Sequence, residues 1–315
     1  MALVATPVYS IKDSSKELIV INCLFNYILS IAIQNGDGEF VESLDQAFPE
    51  KDSLYPFEIV DSLNWYTPII NHRLIIVNNA STSIPVLAFL KEIELLIQDE
   101  NIDYIKIISL DKNYGTAKAV NTAWAQRHPG EHCVKLDDDV AIYDPYWLNK
   151  LEYIADTYMN TYAIGQIGLK NPQIEVNPKH EKIEYRSSLH LWHTHDQPWI
   201  PVEMYDTILA PCVLHTDLFL SELGGIVQPG VYGFDDLLNA PRMRVVNLNS
   251  YYYLGVDMKH LDPGNSPFQE WKHKYVGEQW AEYEKIYREY QEGTRNPYEP
   301  LIDLSKEESE ELNNT

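Results

Sequence analysis

The sequence is short of cysteine and of positive charge. Its 315 residues include three cysteines, Cys23, Cys133 and Cys212, far apart and without a CxxC pair. That excludes a disulfide framework and fits reduced thiols in a cytoplasmic protein. Lys and Arg number 24 against 47 Asp and Glu, a formal net charge of −23. Such a balance favours solubility and argues against the broad basic face that non-specific nucleic-acid binding needs. There is no GxGxxG, so dinucleotide oxidoreduction has no support. Internal repeats are absent, and "MALVATPVYS" lacks the basic lead of a signal peptide. The most apolar run, residues 18–33, falls short of the ~20 residues that cross a bilayer. Its Asn22, Asn26 and Ser30 fall four apart on one helical stripe. The expectation is a buried core helix and no stable membrane span.

Hydrophobic residues make up 45% of the chain, enough for a sizeable core. The first part alternates strand and helix. Residues 2–8, 73–78, 104–110 and 132–137 read as strands, and "RLIIVN" is continuous, as in a parallel strand covered on both faces. Ser83 and Pro85 open a helix that runs to about Gln98. "QNGDGEF" reads as a loop. Regular alternation predicts an α/β fold with a mostly parallel central sheet flanked by helices, followed by a smaller mixed C-terminal half. In that half, residues 187–204 read as an antiparallel strand, and 278–292 as an amphipathic helix stopped by Gly293. "GTRNPYEP" reads as the end of the folded part, and the acidic residues 305–315 as a solvated tail.

In such sheets ligands sit at the carboxyl ends of strands. At the end of the fourth strand stands "KLDDDV", with Asp137, Asp138 and Asp139 in a row. Like charges in a row beside a buried strand call for a positive partner. Asp137 and Asp139 share a face if the chain stays extended, and hard cations such as Mn²⁺ or Mg²⁺ take carboxylate oxygens and bridge to phosphates. A solvated turn capping the next helix fits the spacing equally well.

Other motifs are weaker alone. "NYGTAKAVNTAW" has Asn113 and Gly115 shaping a loop, with Lys118 and Asn121 on the helix beyond; Lys118 could meet a diphosphate or lie in solvent. Asn78 and Asn79 could bond a base or ribose, or cap a helix. Asp235 and Asp236 open a helix after a Gly-rich loop, as a general base or as favourable dipole partners. His260 stands alone after a strand. "HLWHTHD" holds His190, His193 and His195; His193 and His195 share a strand face at a spacing zinc can use, but no third ligand lies near. Trp192 and Trp199 could stack on a sugar or fill a core.

Taken in order, "TPVY", "IIVNNAST", "NYGTAKAVNTAW", "KLDDDV", "FDDLLNAPR" and a late His resemble family 2 glycosyltransferases of the GT-A (Rossmann-like) fold, over roughly residues 2–262. The resemblance implies that Thr6, Pro7 and Tyr9 line a base pocket. Asn78, Asn79, Asn113, Gly115, Lys118 and Asn121 would frame the nucleotide, together with Asp137 and Asp138. Asp137, Asp139 and His260 would hold Mn²⁺ or Mg²⁺, and Asp236 would activate the acceptor, with Asp235 beside it. One base and one metal-stabilised leaving group imply inversion. Asn78 departs from the family's usual Asp. The stretch 10–72 between the first two strands is also far longer than usual.

The implied organisation is a nucleotide-sugar half, 1–140, carrying the insertion 10–72; an acceptor half, 141–297; and a tail, 298–315. The implied partners are a nucleoside-diphosphate sugar, a UDP-sugar first, and a polysaccharide or glycoconjugate acceptor. A viral DNA-modifying enzyme acting on hydroxymethylated bases is the alternative acceptor reading, and a non-catalytic carbohydrate-binding module the alternative class. Oligomeric state is not legible.

Overall fold

The computed structural model describes residues 1–11, 16–49, 71–170, 188–192, 200–256, 258–261 and 267–306. Four parallel strands, β1 (Ala2–Val8), β2 (Arg73–Asn78), β3 (Ile105–Ser109) and β4 (His132–Leu136), lie side by side in the order β3-β2-β1-β4. In chain order there follow β5 (Val140–Ile142), β6 (Ile164–Leu169), β7 (Ser188–Trp192), β8 (Ile200–Tyr205), β9 (Cys212–His215), β10 (Asn249–Tyr253) and β11 (Met258–His260). Five of these extend the sheet as β4-β9-β6-β10-β8-β7, with β9 and β8 antiparallel to their neighbours. β5 and β11 form a separate antiparallel ribbon.

Eight helices accompany the sheet among the described residues: α1 (Glu17–Asn35), α2 (Gly38–Ala47), α3 (Ile84–Asp99), α4 (Thr116–Trp124), α5 (Trp147–Tyr162), α6 (Asp217–Leu223), α7 (Asp235–Val245) and α8 (Pro267–Gln291). Side chains alternate along a strand, so each face of the sheet receives its own core. Val4, Leu74 and Ile76 pack with Leu24 and Ile28 of α1, Ile93 of α3 and Leu151 of α5. Leu3, Ala5 and Ile75 pack on the opposite face with Val120 of α4 and Phe219 of α6. This double cover explains the uninterrupted apolar run of β2.

α1 is the one described helix long and apolar enough to cross a membrane, yet most of it is buried inside the fold. Gly36 ends it at φ +72°, the left-handed conformation that glycine adopts without steric cost. Ser83 caps α3 as expected, its hydroxyl accepting from Val86 N–H.

Several expectations need correction. The supposed loop after α1 is α2, capped by Asp37, whose carboxylate accepts from Phe40 N–H. α5 had no counterpart in the periodicity analysis. α8 begins at Pro267 rather than 278. The C-terminal segment docks well past "GTRNPYEP": buried Arg242 donates to the carbonyls of Pro297 and Leu223, Glu299 bridges to Gly224, and Leu301 and Leu304 pack on the core. Residues 193–199 lie outside the described residues, and with them His193, His195 and Trp199; so do the side chains of His190 and Trp192.

Candidate active site

At the carboxyl edge of the parallel strands lies a cleft of about 300 Å³. β4 delivers the aspartates to it. Strand geometry stops at Leu136, and the chain turns at 138–139 before β5. The extended alternation expected for the triplet therefore does not hold, and all three carboxylates line the cleft. The turn is braced from inside. Tyr27 of α1 accepts from Val140 N–H at 3.1 Å, and its hydroxyl lies 2.9 Å from the Asp137 carbonyl and 2.7 Å from that of Val140. Farther along α1, Gln34 accepts from the N–H groups of Leu148 and Asn149, and Ser30 accepts from Trp147 Nε1. Tyr27 thus holds the aspartate turn, and Ser30 and Gln34 hold the start of α5.

The β5–β11 ribbon brings in His260 from far along the chain. His260 pairs in register with Val140, and Leu261 N–H donates to the Asp139 carbonyl at 2.8 Å. His260 Nε2 lies 3.0 Å from Asp139 Oδ1. Asp137, Asp139 and His260 each offer a ligand atom, and these atoms all lie within 4.8 Å of one another. Two carboxylates and an imidazole are a donor set that suits Mn²⁺. Asp139 also forms an ion pair through Oδ2 with Lys16, at the head of α1. Burial alone would raise the Asp139 pKa, but the His260 hydrogen bond and the Lys16 charge outweigh it and hold the carboxyl below its usual range. Asp138 is pushed up to about 7 by burial and the neighbouring Asp139, although Lys16 and the Tyr9 backbone N–H act against the shift.

α7 supplies the opposing carboxylates. Its cap, Phe234, has φ +67°, a conformation that costs a bulky residue energy and that recurs at functional sites. It presents Asp235 and Asp236 to Lys135, whose Nζ lies 2.9 Å from Asp235 Oδ2, 3.3 Å from Asp236 Oδ1 and 3.5 Å from Asp137 Oδ1. Burial opposes the charge on Lys135, yet these acids hold its pKa well above the usual value. Asp236 is pushed up to about 8, chiefly by burial and its acidic neighbours, with Lys135 opposing. One buried ammonium therefore joins the Asp137 carboxylate to the α7 pair.

Of the other expected residues, Pro7, Tyr9, Asn79 and Asn113 line the cleft. Asn79 is also a brace, donating to Asn113 Oδ1 at 2.9 Å and accepting from Tyr114 N–H at 3.0 Å. Five residues are not in the lining, for physical reasons. Thr6 is enclosed within β1. Asn78 uses its side-chain Oδ1 to accept from Ser81 N–H, the turn alternative. Gly115, at φ +89°, sits where a Cβ would come 2.7 Å from Val231 Cα. Asn121 clamps both backbone groups of Ile226. Lys118 is exposed on α4.

The cations that do line the cleft, Lys16, Lys135 and Lys272, were missed, as were Tyr232 and Trp271. Lys135 had a signal: it precedes Asp137 by two residues on a strand and so shares its face. Lys272 Nζ lies 5.1 Å from the Tyr232 ring centre, and the Tyr232 and Trp271 rings are 5.9 Å apart.

Residues 58–219 match the family model described as glycosyl transferase family 2, just over half of the 315 residues. No curated protein matches the chain. Among solved structures it is similar to the mannosyltransferase PcManGT from Pyrobaculum calidifontis in complex with GDP-Man and Mn²⁺, at 15% identity over 86% of this chain and 59% of that one, with a TM-score of 0.47. It is similar to GalNAc-T7 with UDP, GalNAc and Mn²⁺, at 11% identity over 98% of this chain and 55% of that one, TM-score 0.48. For residues 1–349 of S. aureus TarS the identity is 15% over 81% of this chain and 60% of that one, TM-score 0.40. The chain spans under two thirds of each.

Proposed function

The chain belongs to glycosyl transferase family 2, and on that premise we propose that its cleft transfers a sugar from a nucleoside-diphosphate donor to an acceptor hydroxyl, with inversion and with help from a divalent metal. The observation that carries the reading is the pairing, in one cleft, of a metal-competent group with a second carboxylate pair across Lys135. Asp137, Asp139 and His260 would hold Mn²⁺ or Mg²⁺, which when bound supplies positive charge opposite a leaving diphosphate.

The protein's own residues do the rest. Pro7, Tyr9, Asn79 and Asn113 form the donor wall and receive the nucleoside. Asp236, partly exposed, faces the space an acceptor would enter, and Lys135 fixes its carboxylate. Asp236 takes the hydroxyl proton as the acceptor oxygen bonds to the anomeric carbon. The bond from that carbon to the diphosphate oxygen breaks with its electron pair. The raised affinity of Asp236 for a proton suits this uptake. Asp235, buried beside it, serves as its electrostatic neighbour. No covalent intermediate is involved, so the product has the opposite anomeric configuration.

In this reading residues 1–140 form the donor half, 141–297 the acceptor half, and the segment beyond is a strap on the core. A glycan or glycoconjugate is the acceptor class, since the net charge of −23 disfavours DNA. The three buried free thiols support a cytoplasmic setting. The test is a donor panel, UDP-sugars first, offered with glycan acceptors and with hydroxymethylated DNA, and product anomers read by NMR. Inverted product from wild type and none from Asp236→Asn supports the proposal. Retained configuration or an active Asp236→Asn variant rejects the mechanism.

A further inference from the structure

Lys16 is the least expected occupant of the cleft. It belongs to the stretch inserted between β1 and β2, and it pairs with Asp139, one of the three proposed metal ligands. Asp139 is 3% exposed, and both of its oxygens are taken, Oδ1 by His260 and Oδ2 by Lys16. A cation held by Asp137, Asp139 and His260 would lie beside the Lys16 ammonium and be repelled by it. His260, itself a prospective ligand, can turn from Asp139 Oδ1 to the metal, so Lys16 is the contact that opposes the cation.

Lys16 is anchored on its helix side, where its carbonyl accepts from Val20 N–H at 2.8 Å. Glu17, the next residue, accepts from the Ser83 hydroxyl at 2.7 Å, and Tyr27 ties the same helix to the aspartate turn. The movement must therefore come from the side chain, a flexible four-carbon stem bearing a compact charge. Once displaced, the ammonium remains in a cleft whose wall also carries Lys272. With a divalent ion on Asp139, that ammonium needs another anionic partner beside the metal. The donor's diphosphate is the group that the proposed reaction brings there.

We propose that Lys16 is a donor-binding residue with two partners. Without ligand it is the counter-ion of Asp139 and competes with the metal. With donor and metal bound it pairs with the diphosphate. The proposal rests on the metal-dependent transferase reading above. It makes metal and donor binding mutually reinforcing, since the donor gives Lys16 somewhere else to go.

The test is Mn²⁺ binding by electron paramagnetic resonance and calorimetry, without and with UDP or GDP, on wild type, Lys16→Met, Lys16→Arg and Asp139→Asn. Lys16→Met should bind Mn²⁺ alone roughly tenfold more tightly than wild type, the scale of one charge-assisted contact. The same variant should bind the nucleoside diphosphate, at saturating Mn²⁺, roughly tenfold more weakly. Lys16→Arg should keep wild-type behaviour in both, and thermal melting checks that each variant is folded. If Lys16→Met binds Mn²⁺ no better than wild type while Asp139→Asn loses it, the metal site stands and the role of Lys16 is wrong. If Mn²⁺ binds better but the diphosphate is unaffected, the two-partner proposal also fails. If Mn²⁺ binds none of the proteins, with or without nucleotide, both the proposal and the reading beneath it fall.

Discussion

The two walls of the cleft are made of different material. One wall lies at the strand ends, where Asn79 donates to Asn113 and accepts from the Tyr114 backbone N–H. The opposite wall is a Gly-rich loop, a helix start and the first turns of α8. It carries aromatic rings, a left-handed phenylalanine and the Asp235–Asp236 pair that faces Lys135 of β4. Under the proposed transfer the first wall would receive the donor, and the second, with its aromatic rings beside charged residues, would receive the acceptor. The contrast teaches where each kind of substitution should act: on the second wall it should change chemistry, and beneath the first it should change stability.

The largest effect is expected on the second wall. Asp236→Asn should lower kcat by about 10²–10⁴-fold, the usual worth of a positioned base, while Mn²⁺ affinity and melting temperature stay near wild type. A steady-state assay beside a metal titration checks this. Loss of metal binding in that variant would break the division of labour between the walls.

Beneath the aspartate turn, Tyr27→Phe removes the acceptor of the buried Val140 N–H. A buried donor left unpaired costs about 1–3 kcal/mol. Denaturant unfolding should register that loss, and metal affinity should fall with it because the turn carries two ligands. Asn121→Ala should cost a similar amount by leaving the Ile226 backbone groups unpaired. Here donor and metal affinity should be unchanged, which separates a structural amide from a binding one.

His215 sharpens the comparison from below the sheet. It is fully buried among Trp124 and Phe219, and burial first, then the Lys135 charge, lowers its pKa to about 3. The folded protein keeps it neutral, whereas the unfolded chain protonates it near 6.5. Its contribution to stability is complete above pH 6.5 and declines as pH falls toward 3, by at most about 1.4 kcal/mol per pH unit. His215→Gln should flatten that part of the stability–pH curve. The smallest effect belongs to Lys118→Ala: the side chain lies on the exposed face of α4, so nucleotide affinity should not change in a direct titration.

How much of this was readable in the chain follows from what each feature depends on. The parallel half was legible because apolar period and strand–helix alternation are local properties. The aspartates at the end of β4 were legible because their position on a sheet edge follows from that alternation. Asp137 with Asp139 and the late His260 were linked by family resemblance, and the structure supplies the cause: the pairing of β5 with β11 sets His260 beside Asp139, 121 residues away in the chain. Lys16, Tyr232, Trp271 and Lys272 could not be found, since their placement depends on contacts between distant segments. α5 escaped because its buried polar residues, Asn149, Lys150 and Glu152, blur its apolar period. Asn78, Asn121 and Lys118 lie outside the cleft lining, which the chain alone does not show: amides and lysines beside a strand end suit a nucleotide or a backbone clamp equally well until the neighbours are known.

The most direct test is calorimetric binding of a panel of sugar nucleotides to the purified protein, with Mn²⁺ and with chelator, for wild type and Asp139→Asn. The account predicts that at least one donor binds wild type in Mn²⁺, weakens by tenfold or more in chelator, and fails to bind Asp139→Asn. Binding that is indifferent both to the metal and to Asp139, or no binding by any sugar nucleotide, would contradict it.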